Sequence, residues 1–399
     1  MLPVAEARAR ILAGVQPVTA EQVALPAALD RILAEDVLAR LTHPPMAVSA
    51  MDGWAVRTAD LTVLPATLRR VGTAPAGHPF AGTVGPGEAV RIFTGAALPA
   101  GADTVVIQEN CTDQGDRVLV REGSGPGRWV RPAGQDFTAG HVGLTAGTRI
   151  GVRDIALAAA MNVPWLMVRR RPRIAVLATG DELVMPGTAP APGQIISSNS
   201  LALAALIHRL GGEPVDLGIA PDDAAALATH LDAARGCDLL VTSGGASVGD
   251  HDLVRTALQA RGLHLAFWKI AMRPGKPLMF GHLGDMPVLG LPGNPVSSLV
   301  CALLFLRPLI QTLLGLPVTD RRIAAAAAVD LPANDAREDY LRATLAPGAD
   351  GHLQARPIAR QDSGMLTGLV RADGLIIRPP LAPALPAGGP VDVMPLDGI

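Results

Sequence analysis

The sequence contains few aromatic residues, few cysteines and little net charge. Phenylalanine, tryptophan and tyrosine together make up 3% of the 399 residues, so a platform for stacking nucleobases is not expected. The formal net charge is −2 and no basic block occurs, which argues further against a nucleic-acid partner. The three cysteines are isolated and form no CxxC motif. This excludes a disulfide framework or a thiolate zinc site and is typical of a reducing cytoplasm.

Long apolar runs are also missing. The longest lies near 299–306, far short of the roughly 20 residues that a membrane-spanning helix needs. The N-terminal stretch MLPVAEARAR carries charges where a signal peptide requires an apolar core. We therefore expect a cytoplasmic protein with no membrane partner.

Glycine and proline, by contrast, are abundant. The 43 glycines and 35 prolines amount to a fifth of the chain, below the roughly 25–30% that marks low complexity. Hydrophobic residues make up 49%, enough for several cores, and the length allows two to four domains of about 150 residues. The composition predicts a folded protein with many turns.

Periodicity along the chain predicts a multidomain α/β fold. Strand-like runs alternate with helical segments over 173–315, which indicates a doubly wound, mostly parallel α/β domain. Short β-prone runs between Gly and Pro turns predict a β-rich domain over 42–135 and a small β-barrel over 316–399. The segments 1–41 and 136–172 are predicted to form a mixed α/β linker domain.

The loops that leave the predicted α/β strands carry the candidate chemistry, because open α/β sheets bind ligands outside the carboxyl ends of their strands. Glycine-rich turns free backbone amides for phosphate, and Arg273 and Lys276 add positive charge. Four carboxylates among these loops would repel a naked phosphate, which predicts a bridging Mg²⁺. They are Glu182, Asp222, Asp250 and Asp252.

Ordinary structural roles stay open for several of these residues. Asp222 and Asp223 begin a predicted helix, where acidic residues are favoured as caps. Capping is the preferred interpretation for Asp223. For Asp222, capping and a role in the site are equally supported. The loop 243–249 could be a plain turn, and Pro295 could only start a helix. No GxxxxGK[ST] motif is present. A GxSxG match at 245–249 places Ser247 in mid-loop rather than at a strand-to-helix elbow, so a serine hydrolase is a disfavoured alternative.

Seven motifs carry a family resemblance. In chain order they are SAMDGWAV (49–56), IFTGAALPAGADTVVIQE (92–109), RPAGQDF (131–137), LATGDELV (177–184), TSGGASVGDHD (242–252), AMRPGKP (271–277) and LGLPGNPVSS (289–298). Together they resemble the molybdopterin molybdenumtransferase (MoeA) family, which is related to the gephyrin E domain. The resemblance covers essentially the whole chain.

The resemblance implies an activity and an assembly. The family inserts molybdenum from molybdate into adenylylated molybdopterin and releases AMP in a magnesium-dependent reaction. It implies a homodimer of four-domain subunits, whose active site combines the α/β domain of one subunit with the β-rich domain of the other. Molybdopterin adenylyltransferase and molybdoenzymes are the implied protein partners. A non-catalytic molybdopterin-binding scaffold is the alternative, and the choice between molybdate and tungstate stays open.

The resemblance also assigns residues. The implied catalytic residues are Asp52, Thr94, Asp136, Glu182 and Asp222, of which Glu182 and Asp222 would also hold Mg²⁺. The implied substrate-binding residues are Ser243, Gly244, Gly245, Ser247, Asp250, Asp252, Lys269, Pro292, Gly293, Asn294 and Pro295. The implied molybdate ligands are Arg273, Lys276, Ser297, Arg337 and Ser363. Which of Asp250 and Asp252 plays the family role stays open. Arg273 stands where the family commonly has Lys, which exchanges a point charge for a planar fork.

Overall fold

The computed structural model describes residues 1–244, 253–348 and 351–396, with Leu253 described by its backbone alone. Contacts divide the chain into two compact units. The first unit comprises Met1–Glu21, Asp30–Ala34 and Val168–Ile399, and the second comprises Gln22–Leu29 and Glu35–Met167. The boundary between the units passes through the strands Ala20–Ala24 and Trp165–Arg169. The four-domain boundaries predicted from the sequence stay a prediction.

The α/β part of the first unit is built on a six-stranded sheet. Its strands, labelled in chain order, are β1 (Arg173–Thr179), β2 (Glu213–Ala220), β3 (Leu239–Ser243), β4 (Leu263–Trp268), β5 (Met279–Leu283) and β6 (Met286–Leu291). The spatial order is β2-β1-β3-β6-β5-β4. The pairings β1–β2, β1–β3 and β3–β6 are parallel, whereas β5 pairs antiparallel with both β6 and β4. The strand order reverses between β1 and β3, which is the switch point where such sheets bind ligands.

Helices cover this sheet and explain its apolar strands. They are α1 (Asn199–Arg209), α2 (Ala224–Ala233), α3 (Leu253–Ala260), α4 (Pro295–Cys301) and α5 (Arg307–Leu313), with a π-helical segment at Ala302–Leu306 between the last two. Strand β1 is buried continuously from Ile174 to Thr179, as expected for a central parallel strand covered on both faces. Helix α1 buries Leu203, Leu206 and Ile207, at the spacing of one helical face.

One continuous helix, Pro295–Leu313, is long and apolar enough to cross a membrane by length and composition. It is 78% buried inside the structure. Val300, Phe305 and Leu309 belong to its fully buried positions and pack in the same core as Ala7 and Ile11 of the helix Val4–Leu12. Its apolar character is therefore that of a core helix.

The C-terminal part of the first unit is a closed barrel. Its five strands are Ile323–Ala327, Glu338–Pro347, Leu353–Pro357, Gly374–Arg378 and Pro390–Pro395, with a helix at Leu366–Val370. The pairing of Glu338–Pro347 with both Leu353–Pro357 and Gly374–Arg378 closes the ring. The short strand Met272–Arg273 of the α/β part adds to the start of Glu338–Pro347. The predicted small barrel is confirmed.

The second unit is rich in β-structure, as predicted. A six-stranded sheet contains Gly53–Val56, Ala66–Ala74, Glu88–Ile92, Thr104–Ile107, Cys111–Asp113 and Arg117–Val120. Val37–Leu38 pairs with Val142–Leu144, and Val48–Ser49 pairs with Val130–Arg131. The helix Val152–Ala160 and three 3-10 turns at Leu25–Ala27, Thr58–Leu61 and Gln108–Asn110 complete the elements.

Candidate functional site

A cavity of about 760 Å³ lies at the carboxyl ends of β1, β3 and β6. The loops that the sequence singled out converge on it, together with the short strands Leu183–Val184 and Ile195–Ile196. The predicted site residues that line it are Glu182, Asp222, Ser243, Gly244, Pro292, Gly293, Asn294, Pro295 and Ser297. A larger cavity of about 1260 Å³ opens at the opposite edge, beside Asp238 and Pro287 at the amino ends of β3 and β6. Because α/β sheets bind ligands at their carboxyl ends, we assign the site to the first cavity.

The two carboxylates that line the cavity are Glu182 and Asp222. The Asp222 backbone N–H donates to Oδ1 of Asp181 at 2.9 Å, which holds the loops after β1 and β2 together. Partial burial and the negative charges of Asp181 and Glu182 raise the pKa of the Asp222 carboxyl above its ordinary value. An ionised Asp222 is therefore disfavoured by its neighbours, and a cation placed here would relieve that cost.

Glycine at position 180 allows this acidic edge to form. Its φ is +143°, and a Cβ there would lie 2.4 Å from a carboxylate oxygen of Glu182. Asp223, in contrast, caps helix α2 by accepting from the backbone N–H groups of Ala225 and Ala226 at 3.0 and 2.8 Å. The capping interpretation preferred for Asp223 is thus confirmed, and Asp222 is left facing the cavity.

The acidic edge supplies too few ligands to hold a metal ion alone. Within the ranges 1–244, 253–348 and 351–396, no group of three or more His, Cys, Asp and Glu side chains could hold one. Mg²⁺ commonly binds one or two carboxylates and completes its shell with substrate oxygens and water. Glu182 and Asp222 fit that role, with the ligand supplying the remaining oxygens.

The glycine-rich loops meet on the other side of the cavity. Gly244 has φ +94°, and a Cβ there would lie 2.4 Å from the carbonyl oxygen of Thr179. A Cβ on Gly293 would lie only 3.6 Å from the Gly244 Cα. The Gly244 N–H donates to the Leu291 carbonyl at 3.3 Å. Close backbone packing is what makes glycine necessary at 244, and it brings the ends of β3 and β6 together.

Asn199 also lines the cavity, and the sequence analysis missed it. Its Nδ2 donates to Oγ of Ser243 and to the carbonyl oxygen of Gly293, both at 2.8 Å. The only sequence signal was the polar run SSNS at 197–200 before a helix. Such a run is typical of an ordinary helix start, so nothing in it pointed to the two loops.

The C-terminal barrel contributes a wall through the segment 360–366. Gly364 and Leu366 line the cavity. Asn294 Nδ2 donates to Oγ of Ser363 at 2.9 Å, and the Val296 N–H donates to the Ser363 carbonyl at 3.0 Å. Ser363 therefore lies against the turn after β6, although it does not line the cavity itself.

This wall is held by Arg342, another residue that the sequence analysis missed. Arg342 is 1% exposed. Its guanidinium donates to the carbonyl oxygens of Met365, Arg360 and Asp362 at 2.8, 3.0 and 2.9 Å. Arg337, the predicted arginine of this region, instead hydrogen-bonds Asp335 at 2.6 Å and lies outside the cavity lining. The Arg337 bonds lower the pKa of Asp335 to about 2.

The predicted cations are not gathered around the cavity. Arg273 forms an ion pair with Asp339 and another, at 3.5 Å, with Asp335. Lys276 is exposed and adjoins Pro277, which lines the cavity. Lys269 Nζ lies 4.0 Å from the centroid of the Trp268 ring. Of the predicted molybdate ligands, Ser297 is the one placed on the cavity wall in the described part of the chain.

The second unit contains the other predicted catalytic residues. Oδ1 of Asp52 accepts from both the backbone N–H and the hydroxyl of Thr94, each at 2.8 Å. These bonds lower the pKa of Asp52, which stays ionised. Arg91 lies 5.7 Å from the Trp54 ring centroid and donates to the Gly53 carbonyl at 2.9 Å. Asp136 is exposed.

Four predicted residues lie outside the described ranges. They are Gly245, Ser247, Asp250 and Asp252. Their proposed roles, including the serine-hydrolase alternative at Ser247, stay predictions.

Three family models match successive parts of the chain. Residues 2–162 match the MoeA N-terminal region (domain I and II), residues 175–312 match a probable molybdopterin binding domain, and residues 324–396 match the MoeA C-terminal region (domain IV). A molybdopterin molybdenumtransferase of Haemophilus influenzae is 34% identical over 402 residues, covering 100% of this chain and 99% of that protein. The chain belongs to the MoeA family.

Other MoeA relatives extend the match. A molybdopterin molybdenumtransferase from Nostoc is 42% identical over 304 residues, covering 74% of this chain and 70% of that protein. The crystal structure of a molybdopterin biosynthesis MoeA protein from Pyrococcus horikosii aligns over 100% of both chains with a TM-score of 0.89 and 31% identity. The MoeA fold expected from the motifs is therefore confirmed over the full length.

Proposed function

We propose that this enzyme transfers molybdenum from molybdate to adenylylated molybdopterin and releases AMP, as a molybdopterin molybdenumtransferase of molybdenum cofactor biosynthesis. The observation that carries the proposal is one cavity that joins two carboxylates to glycine-rich backbone at the switch point of the sheet. Full-length relatives with this name support it.

The loops after β3 and β6 suit the pyrophosphate of the substrate. Gly293 is exposed and has no side chain to screen its backbone amide, and helix α4 begins at Pro295 on the cavity wall. Amides and a helix N-terminus at this position favour negative charge. Cleavage of the phosphoanhydride then depends mainly on positioning and on neutralising charge.

Glu182 and Asp222 are the proposed ligands of Mg²⁺, which when bound would neutralise negative charge on the pyrophosphate of the substrate. The raised pKa of Asp222 supports this assignment, since a cation would offset the negative charges of Asp181 and Glu182 that disfavour the ionised carboxyl. The two residues hold their carboxylates on loops fixed by the Asp222–Asp181 hydrogen bond.

Molybdate is proposed to bind beside the turn after β6. Ser297 and Ser363 lie at this turn and offer hydroxyl donors, and Arg273, Lys276 and Arg337 are the proposed cations. Arg273 would exchange its contacts with Asp335 and Asp339 for the dianion. Asp52, Thr94 and Asp136 are proposed to complete the site from the second unit of a partner subunit in a homodimer. The adenylyltransferase that supplies the substrate and the molybdoenzymes that receive the product are the proposed partners.

The test is AMP release from adenylylated molybdopterin in the presence of Mg²⁺ and molybdate. We expect wild-type protein to release AMP and Glu182→Gln to reduce kcat by about 100-fold, because a neutral amide cannot replace a metal-binding carboxylate. Circular dichroism would confirm that the variant is folded. Wild-type protein that binds the substrate without releasing AMP would support a scaffold instead, and labelling by a fluorophosphonate would support the hydrolase alternative.

A further inference from the structure

Asn199 is the first residue of α1, but its side chain does not act as a cap. A capping side chain accepts a hydrogen bond from a backbone N–H of the first turn. The cap position of α1 belongs to Ser198, and no side-chain cap bond forms there. Asn199 does the opposite of capping, because its Nδ2 donates outward to Ser243 Oγ and to the Gly293 carbonyl, both at 2.8 Å.

The two acceptors belong to different loops of the site. Ser243 ends β3 and is 2% exposed, and Gly293 lies in the turn after β6. Between them the backbones are so close that a Cβ on Gly293 would lie 3.6 Å from the Gly244 Cα. Asn199 therefore bridges the two loops at the point where they meet, and both Nδ2–H groups are used in doing so.

Helix α1, which carries Asn199, is packed firmly in the core. Leu203 and Ile207 of α1 are fully buried and Leu206 is 6% exposed, all within the main core of the first unit. The backbone of α1, and with it the Cα of Asn199, is therefore held in place by the core. Asn199 thereby ties both loops to this core, in addition to the Gly244–Leu291 backbone hydrogen bond that joins the strand ends directly.

We propose that Asn199 is a positioning residue that sets the distance between the Ser243–Gly244 loop and the Gly293 turn. The proposal rests on the proposed function, which assigns these loops to the phosphate groups of the substrate. Displacement of such groups by about 1 Å can cost about 100-fold in rate. We therefore expect loss of the bridge to lower kcat more than it raises KM.

The chemistry requires an amide. The Gly293 carbonyl can only accept, so its partner must be a hydrogen-bond donor, as the Asn199 amide N–H is, whereas the Ser243 hydroxyl can either donate or accept. An aspartate at 199 would keep the Ser243 contact and place a lone pair against the Gly293 carbonyl. Asn199→Asp, although nearly isosteric, should be no better than Asn199→Ala.

The kinetic test compares both variants with Thr104→Val. Thr104 is a buried side chain of the second unit whose hydroxyl donates to the Gly125 carbonyl at 2.8 Å and lies 3.3 Å from the Arg128 carbonyl. We expect a fall in kcat for AMP release of about 10- to 100-fold in both Asn199 variants with less than about a threefold change in KM. The control should lower Tm with kcat unchanged. An active Asn199→Ala, an active Asn199→Asp, or an equal loss of kcat in the control would overturn the proposal.

A structural readout separates this proposal from the proposed function. Crystal structures of wild-type and Asn199→Ala protein should show a wider Gly244–Gly293 separation in the variant, and an unchanged separation would overturn the positioning role. If wild-type protein releases no AMP, the proposed function fails, and the same pair of structures still decides whether Asn199 sets the spacing.

Discussion

The carboxylates at the two edges of the α/β sheet differ in whether they form ion pairs with arginine. At the amino-end cavity, Arg170 donates to both carboxylate oxygens of Asp238 at 2.6 and 2.7 Å, and Arg261 binds both oxygens of Asp232 at 2.6 and 3.1 Å. At the carboxyl-end cavity, neither Glu182 nor Asp222 has an ion pair within the described residues, and Asp181 adds a further negative charge.

The carboxyl groups at the two edges respond accordingly. The hydrogen bond and charge of Arg261, assisted by Arg235, lower the pKa of Asp232. Partial burial and like charges raise the pKa of Asp222. Paired carboxylates stabilise the fold, whereas unpaired ones held together cost stability and are expected where a ligand cation completes them. We therefore propose a structural role for the larger cavity and a ligand-binding role for the smaller one.

The largest effect should come from Asp222→Asn. We expect kcat for AMP release to fall by about 100-fold, because one of the two proposed metal ligands loses its charge. Asp232→Asn, an exposed aspartate at the opposite edge, is the matched control and should keep full activity. Equal activity of Asp222→Asn and wild-type protein across a magnesium titration would contradict the proposal that the carboxyl-end cavity binds a metal ion through Asp222.

Asp238→Ala should show the reverse pattern. It removes the two Arg170 bonds and a third from the Arg173 backbone N–H at 2.8 Å. We expect the free energy of unfolding to fall by about 1–2 kcal/mol, since Arg170 is partly exposed and regains water. Urea unfolding measures this change, and kcat should stay at the wild-type value. A loss of activity without a loss of stability would place function at the amino-end cavity.

The smallest effect concerns the dependence of stability on pH. The raised pKa of Asp222 means that its ionisation costs stability at neutral pH, and the cost disappears as the carboxyl protonates on acidification. The lowered pKa of Asp232 gives stability that is present above its ordinary value of 3.8 and is lost as pH falls through the lower native value. At pH 7, Asp222→Asn should therefore raise the urea midpoint slightly and Asp232→Asn should lower it, and both differences should shrink as each carboxyl protonates on acidification. Shifts of the same sign would contradict the comparison.

Local patterns predicted much of the fold. The alternation over 173–315 predicted the mostly parallel sheet, because a strand buried on both faces is a continuous apolar run such as Ile174–Ala178. The small C-terminal barrel followed from short strands between turns. The continuous helix Pro295–Leu313 contains a π-helical turn at Ala302–Leu306, a detail of hydrogen bonding that apolar periodicity does not encode.

The site was predicted unevenly. The loops that follow parallel strands meet at one edge in any such sheet, so Glu182, Asp222, Gly244 and Gly293 were found together. The predicted cations were not found around the cavity. Arg273 forms an ion pair with Asp339 of the barrel. The segment 360–366 beside the cavity is held by hydrogen bonds from Arg342, whereas Arg337 does not line the cavity. An arginine in a strand gives no sign of whether it will be buried against carbonyls or exposed.

The sequence alone determined the family, the order of strands and helices, and which loops carry chemistry, because these depend on periodicity and on residue types next to one another. The tertiary structure decided which carboxylates are left unpaired and which amide joins two loops. The residue type of Asp222 and Asp232 does not show which of the two is paired with an arginine. The sequence around Asn199 is typical of the start of a helix. Their roles come from partners distant in the chain, such as Arg261 for Asp232 and Gly293 for Asn199, which only folding brings within hydrogen-bond distance.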